Sequence, residues 1–468
     1  MHNILIIHCH DLGRFLGSYG ISGVDTPNLD RLASDGTLFE AAFATSPHCS
    51  PARASLFTGT YPQTNGVLGL AHAPFHWDLH EPSSHLAHRL GRHGYRSHLI
   101  GVHHESRDFD DDEVARRLGF TSVRTGGHRD EVVQRTNAAL SAAATSGSPF
   151  YLQVGFDEPH RTPSDQDEAG VMGFLAEGVK AESSRGISIP PYLRDDAGAR
   201  EEIAELQGAV NFMDQGVGAI LDHLALLGLD RNTILVFTTD HGLALPRAKC
   251  TLYDSGLGVA LMMRVPGRDR WTSRRIPDLV SHVDVLPTLL ELVGLGVDDD
   301  IQGESLVPMV EASEAGRNHV FGQFSYHTYY DPKRAVRSTT HKLIVNFSNA
   351  PSVMDPTQSW MHRSAPVQLR GPTVPTSEAF ELYELNNDPD EMENLAACPE
   401  HYRVLGELAR ALMGWMQESQ DPLLQLQIAS PRHRLAMAAL KEAASTDDPV
   451  EASHQIHPTS AVPVLTEP

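Results

Sequence analysis

A chain of 468 residues is too long for one small domain and suits a large α/β domain joined to a smaller one. Its 60 acidic side chains outnumber 37 basic ones, a net charge of −23, which argues against nucleic-acid binding and against adsorption to anionic membranes. A hydrophobic content of 41% supplies a packed core and excludes a largely disordered chain.

The first element is the continuous apolar run Ile4–Ile7, the pattern of a buried parallel strand. It lacks a basic flank and a small-residue cleavage site, so it reads as core rather than signal peptide. With no apolar stretch of about 18 residues, no membrane span is expected and a cytoplasmic location is the default. Thr26 and Pro27 open a helix as N-cap and N1, with Leu29, Leu32 and Ala33 as its apolar face. Strands at Ser97–Ile100, Phe150–Val154 and Thr233–Phe237 alternate with helices at Ser84–Gly91, Glu131–Ala144 and Glu201–Leu227. This alternation predicts an α/β fold, a large mixed, mostly parallel sheet sandwiched by helices, over residues 1–315.

Beyond residue 315 the pattern changes to short alternating strands at Phe321–Ser325, Lys333–Ser338, Lys342–Phe347 and Glu381–Leu385, then a helix at Tyr402–Glu418. Residues 316–430 are therefore expected to form a smaller C-terminal antiparallel α+β domain, interrupted by a Pro-rich loop over Ala350–Thr376. A C-terminal helix and a poorly ordered tail are expected over residues 431–468. The four cysteines, Cys9, Cys49, Cys250 and Cys398, form no CxxC pair and no disulfide framework.

The most informative segment runs from Ser46 to Gly59. Pro51 is expected at N1 of a helix, which puts Cys49 at a helix N-terminus where dipole and free N–H groups favour an anion. Arg53, four residues on, projects to the same side. Taken alone, Cys49 is either a thiolate nucleophile with a lowered pKa or a buried structural cysteine beside a surface arginine.

Cys49-Ser50-Pro51-Ala52-Arg53, followed by Leu56-Phe57-Thr58-Gly59, resembles the C-x-P-x-R signature of the type I, formylglycine-dependent sulfatases of the alkaline phosphatase superfamily. The resemblance implies that a formylglycine-generating enzyme oxidises Cys49 to an aldehyde whose hydrate attacks sulfur, beside one divalent cation, calcium in the family. Metal ligands are then expected at the carboxyl ends of core strands. Two segments fit, His10-Asp11 after Ile4–Ile7 and Asp240-His241 after Thr233–Phe237, with Cys49 completing the metal set. The family's first pair is normally Asp-Asp. Because imidazole is the softer ligand, His10 either shifts the preference towards manganese or another transition metal, or has left the coordination sphere to Asp11 and Asp240.

Further segments carry the same resemblance. Ile100-Gly101-Val102-His103-His104 aligns with the family's G-K-x-H, so His104 is expected to contact residue 49, Val102 stands where a sulfate-binding Lys is usual, and His103 is expected to supply part of that charge. Pro159-His160-Arg161 resembles the x-x-P-H segment and makes His160 the expected general acid, with Arg161 beside the substrate. Lys249 occupies the place of a cation facing sulfate, with Arg247 as its alternative. His327, Tyr329 and Arg337 are candidates for substrate contact from the second domain. The segments Thr64–Leu70, Met213–Gly218, Thr251–Tyr253 and Glu381–Leu385 resemble the sulfamidase branch of the family most. The expected activity is hydrolysis of a sulfate ester or sulfamate, on a small sulfated sugar given the acidic surface. The alternative is a phosphonate or phosphate mono- or diester hydrolase of the same superfamily, because both chemistries need in-line attack and stabilised equatorial oxygens. A non-catalytic descendant that binds sulfated ligands is a third reading, against which Cys49 and Arg53 both stand.

Overall fold

The computed structural model describes residues 2–107, 109–163, 172–352, 363–369 and 375–445. Eight strands form the large sheet: β1 (Asn3–Cys9), β2 (Thr37–Phe43), β3 (Arg96–Gly101), β4 (Ser122–Thr125) and β5 (Phe150–Phe156), then, after a two-residue hairpin of β6 (Thr162–Pro163) and β7 (Met172–Gly173), β8 (Thr233–Thr239), β9 (Leu261–Arg264) and β10 (Arg274–Ser281). Their spatial order is β10-β2-β9-β8-β1-β5-β3-β4, and β9 alone runs against its neighbours.

The central strand β1 shows why both faces are covered. Ile4 and Ile6 enter one apolar cluster with helix α2 (Cys49–Thr58). Leu5, Ile7 and Cys9 enter another with α1 (Pro27–Asp35) and the helices Arg129–Ser146 and Ala197–Leu226. Successive side chains point to opposite faces, so a strand apolar at every position must be buried on both. Asp214 ties two of these helices together, because its buried carboxylate accepts the Asn28 and Leu29 N–H groups at the start of α1, at 3.2 and 2.8 Å. A carboxylate there satisfies donors that the helix leaves free.

Four antiparallel strands, β11 (Val320–Tyr326), β12 (Tyr330–Arg337), β13 (His341–Asn346) and β14 (Phe380–Glu384), make the second sheet. The helix Tyr402–Glu418 covers one face with Leu408, Leu412, Trp415 and Met416, while Phe324, Ala335 and Ile344 pack against Phe43, Leu257 and Leu279 of the larger unit. The expected helix Ser84–Gly91 is divided: a turn at Pro82–Ser84 precedes a helix at Leu86–Gly91, because His85 between them is extended. A C-terminal helix spans Pro431–Ser445. The expected tail lies outside the described residues, as do 353–362 and 370–374 of the Pro-rich loop. Among the described residues no helix is long and apolar enough to cross a membrane.

Candidate active site

Strand register assembles the site. Cys9 at the end of β1 pairs with Thr239 of β8 on one side and Phe156 of β5 on the other. The segments that follow therefore emerge side by side at the carboxyl edge: His10-Asp11, Asp240-His241 and the turn leading to His160. This is the edge where open α/β sheets hold their ligands. Asp240 locks two of the segments together, its Oδ1 accepting the N–H groups of Asp11 at 2.9 Å and His241 at 2.8 Å. Asp11 has φ of 51°, a left-handed conformation that Asp tolerates better than most residues and that turns the chain as it leaves β1.

Helix α2 begins at Cys49 with His48 as N-cap, so Pro51 is the third helical residue rather than the first. The difference is harmless, because first-turn N–H groups have no helical acceptor for a proline to lose. Every residue of α2 is buried, and Gly59 ends it with φ of 70°, a conformation that favours glycine.

Charges converge around the Cys49 thiol. Its Sγ lies 3.5 Å from His241 Nε2 and 4.0 Å from Asp11 Oδ1. Burial alone would raise the thiol pKa; the nearby Lys249 and His10 outweigh it and hold the group well below its ordinary value. Lys249 Nζ donates to both oxygens of Asp11 at 2.9 Å, which holds that carboxyl well below the usual range despite its burial. Arg53, with no exposed surface, donates through Nη2 to Asp240 Oδ2 at 3.0 Å and to the Cys9 carbonyl at 3.2 Å, and its Nη1 meets His8 Nδ1. His241 is pushed up to about 10 and His10 to about 9: burial opposes both shifts, and the surrounding anions prevail. His104 goes the other way, to about 4, because burial dominates.

The arrangement fits a cation. One ligand atom each from His10, Asp11, Cys49 and Asp240 lie within 4.8 Å of one another, and His10, Cys49 and His104 form an overlapping group. His10 is fully buried, yet neither ring nitrogen has a hydrogen-bond partner, although Nδ1 stands 3.2 Å from Asp240 Oδ2. Buried polar atoms left unpaired are costly, and a cation bound between these residues would satisfy them. His241 faces the Gly242 carbonyl through Nδ1 at 3.0 Å and turns Nε2 towards Asp11 at 2.9 Å, a common way to aim a ligating imidazole.

His160 stands at the rim with its side chain 30% exposed, Nδ1 on the Arg161 carbonyl at 2.8 Å and Nε2 3.6 Å from Asp11. Its ring and that of His104 each lie 4.9 Å from His10. His327, on the turn between β11 and β12, closes the far side with its ring 5.7 Å from His48, and burial pushes its pKa down to about 3. The structure does not bring the other candidates here. His103 turns to Ser106 Oγ at 3.1 Å. Arg161 is spent on the Ala244 and Met172 carbonyls and on Glu202. Arg247 binds Gln368 and the carbonyls of Asp390 and Glu391, and Arg337 pairs with Asp254 over the Phe43 ring. Tyr329 is 40% exposed on the turn that carries His327. Sequence reasoning missed His8, His48 and His72, whose ring lies 5.8 Å from His104; only His48, beside the signature cysteine, carried a signal. Cys9 and Cys250 are fully buried with their thiol pKa values raised by burial, as packing residues should be.

A family description of sulfatases matches residues 2–295, most of the chain and all of the site just described except His327. The chain belongs to the sulfatase family. It is a sulfuric ester or sulfamate hydrolase. A second description, the C-terminal part of N-sulphoglucosamine sulphohydrolase, matches residues 244–355. Human N-sulphoglucosamine sulphohydrolase is 28% identical over 460 residues, covering 90% of this chain and 91% of the relative. Among solved structures, a 2-O GAG sulfatase superposes with a TM-score of 0.68 at 22% identity, over 92% of this chain and 96% of that one. The phosphonate monoester hydrolase of Agrobacterium radiobacter shares the fold with a TM-score of 0.64 at 19% identity, over 92% and 99% of the two chains.

Proposed function

We propose that this sulfatase hydrolyses a sulfate ester or sulfamate on a small sulfated sugar, with Cys49 carried as formylglycine and a divalent cation held by His10, Asp11, Asp240 and His241. The observation that supports it most is the placement of residue 49 at the start of a buried helix, within ligand distance of two carboxylates and an imidazole. The two carboxylates suit calcium, and the two imidazoles also admit manganese. When present, the cation polarises the sulfate oxygens and the formylglycine hydrate supplies the attacking oxygen.

The chain's own groups divide the remaining work. His104 orients residue 49, and Arg53, bonded to Asp240 and the Cys9 carbonyl, adds a fixed positive charge beside it. Lys249, nearly buried against Asp11, neutralises charge on the bound sulfate. His160 is fixed through Nδ1 by the Arg161 carbonyl, so in its protonated form it presents an acidic N–H at Nε2 to the departing oxygen or nitrogen. His327 and His48 keep water from the enclosed side. Relatives named for N-sulfoglucosamine and for a 2-O sulfate support a sulfated glycan as the substrate class. Parallel kinetics on 4-nitrophenyl sulfate, N-sulfoglucosamine and a phosphodiester test the reading. Higher kcat/KM on either sulfated compound is expected, and higher kcat/KM on the phosphodiester would move the assignment to the phosphonate hydrolases.

A further inference from the structure

A second cavity, of about 630 Å³, lies outside the catalytic cluster, between the loop carrying Trp77, the segment carrying Arg107 and Arg117, and the stretch 420–435. That volume is in the range of small-molecule sites. Three guanidinium groups line it, from Arg107, Arg117 and Arg434, against one carboxylate among the described lining residues, Asp78. Asp78 is already engaged by Arg117 and by the Arg107 backbone N–H at 3.2 Å. Neither Arg107 nor Arg434 makes an ion pair among the described residues. In a chain of net charge −23 these two cations without an ion pair, Arg107 and Arg434, mark a place for an anion.

Two further features specify the anion. Gln63 is 7% exposed and gives its Nε2 to Ser419 Oγ at 2.9 Å, but its Oε1 has no donor, so the wall presents a buried acceptor suited to a hydroxyl. Trp77, braced by Tyr326 at 5.3 Å between ring centroids, adds a flat apolar wall. The Arg107 guanidinium lies over the Phe109 ring at 5.2 Å and keeps its charge uncompensated; an aromatic face, amides and guanidiniums without an ion-pair partner together are the chemistry that recognises an acidic sugar. The loop bearing Trp77 also borders the active site: the Ala71 N–H donates to Ser50 Oγ at 3.0 Å, and the His72 ring is 5.8 Å from His104.

We propose that this cavity is a second saccharide subsite, taking an anionic sugar unit next to the one whose sulfate enters the Cys49 site. The inference rests on the sulfated-sugar reading above and extends it from a monosaccharide to at least a disaccharide. One wall, 420–435, lies beyond the residues that either family description matches.

The test is the double variant Arg107→Gln/Arg434→Gln, compared with wild type on 4-nitrophenyl sulfate and on a heparin-derived sulfated disaccharide. Disaccharide kcat/KM should fall about tenfold, the effect of losing two partly exposed cations, with aryl sulfate turnover unchanged. Equal losses on both substrates, or none on the disaccharide, overturn the subsite. Calorimetric titration of the disaccharide into Cys49→Ala, with and without the two arginine changes, separates this from failure of the catalytic reading. Binding that weakens with the arginine changes supports the subsite even if no sulfate is released, and absent or unaltered binding overturns it. The carboxyl-reduced disaccharide reports which group is held: weaker binding assigns the arginines to a carboxylate, equal binding to a sulfate.

Discussion

Replacing Lys249 by Met keeps the length of the side chain and removes its charge, which isolates the electrostatic role assigned to it. Lys249 is 3% exposed and both of its contacts with Asp11 are 2.9 Å, so the ammonium is bound in place rather than sampled from solvent. Taking one partner from a buried ion pair costs about 3–5 kcal/mol when the other is left uncompensated. Asp11 retains His241 Nε2 at 2.9 Å, so the stability loss belongs at or below the lower end of that range. Catalysis loses more, because a fixed positive charge facing developing negative charge is worth about a hundred- to a thousandfold in kcat. Metal binding moves the opposite way: freed of the ammonium, Asp11 becomes the better ligand. The assay is kcat/KM on 4-nitrophenyl sulfate together with bound metal per chain after dialysis. A large kinetic loss with metal retained is expected; turnover within about threefold of wild type would show that Lys249 only anchors Asp11.

Asp240→Asn keeps an acceptor for the two backbone N–H groups but removes the charge facing Arg53 and His10, so metal affinity should weaken more than about tenfold, measured by competition with a chelator. Unchanged affinity would take Asp240 out of the metal set. His160→Gln should slow an alkyl sugar sulfate about a hundredfold while costing 4-nitrophenyl sulfate much less, since nitrophenolate leaves without a proton; equal losses contradict an acid role. His282 is fully buried and pushed down to about 3, chiefly by burial. Its folded pKa is below the unfolded value, so its stabilisation is present above pH 6.5 and is lost as pH falls towards 3, a few kcal/mol in all. The Tm of His282→Gln should therefore depend less on pH than wild type across that interval, and parallel curves would contradict the shift.

The strands with uniform apolar runs, β1, β5 and β8, were legible because burial on both faces leaves a simple pattern. β10 was not, because Pro277 lies inside it; the strand tolerates the proline as a sheet edge, with its register shifted between Ile276 and Leu279. β2 was missed because Glu40 interrupts its apolar run, and that side chain reaches out to Arg275 at 2.7 Å. At the site, the Asp and His residues directly after core strands were legible because strand ends and strand register place them. The arginines were not. Arg161, Arg247 and Arg337 were expected at the substrate for their charge, but each finds partners such as Glu202, Gln368 or Asp254 that lie 41 to 121 positions away in the chain. His8 was hidden for a related reason: it sits inside the β1 run and becomes part of the site only when Arg53 reaches it from α2.

All of these roles meet at residue 49, so its covalent state in turning-over enzyme is the decisive observation. Mass spectrometry of the tryptic peptide spanning residues 32–53, from protein of known specific activity, reports it directly. Activity that rises in proportion to the aldehyde form of residue 49 is the predicted result. Full activity in protein whose residue 49 is entirely thiol would contradict the account.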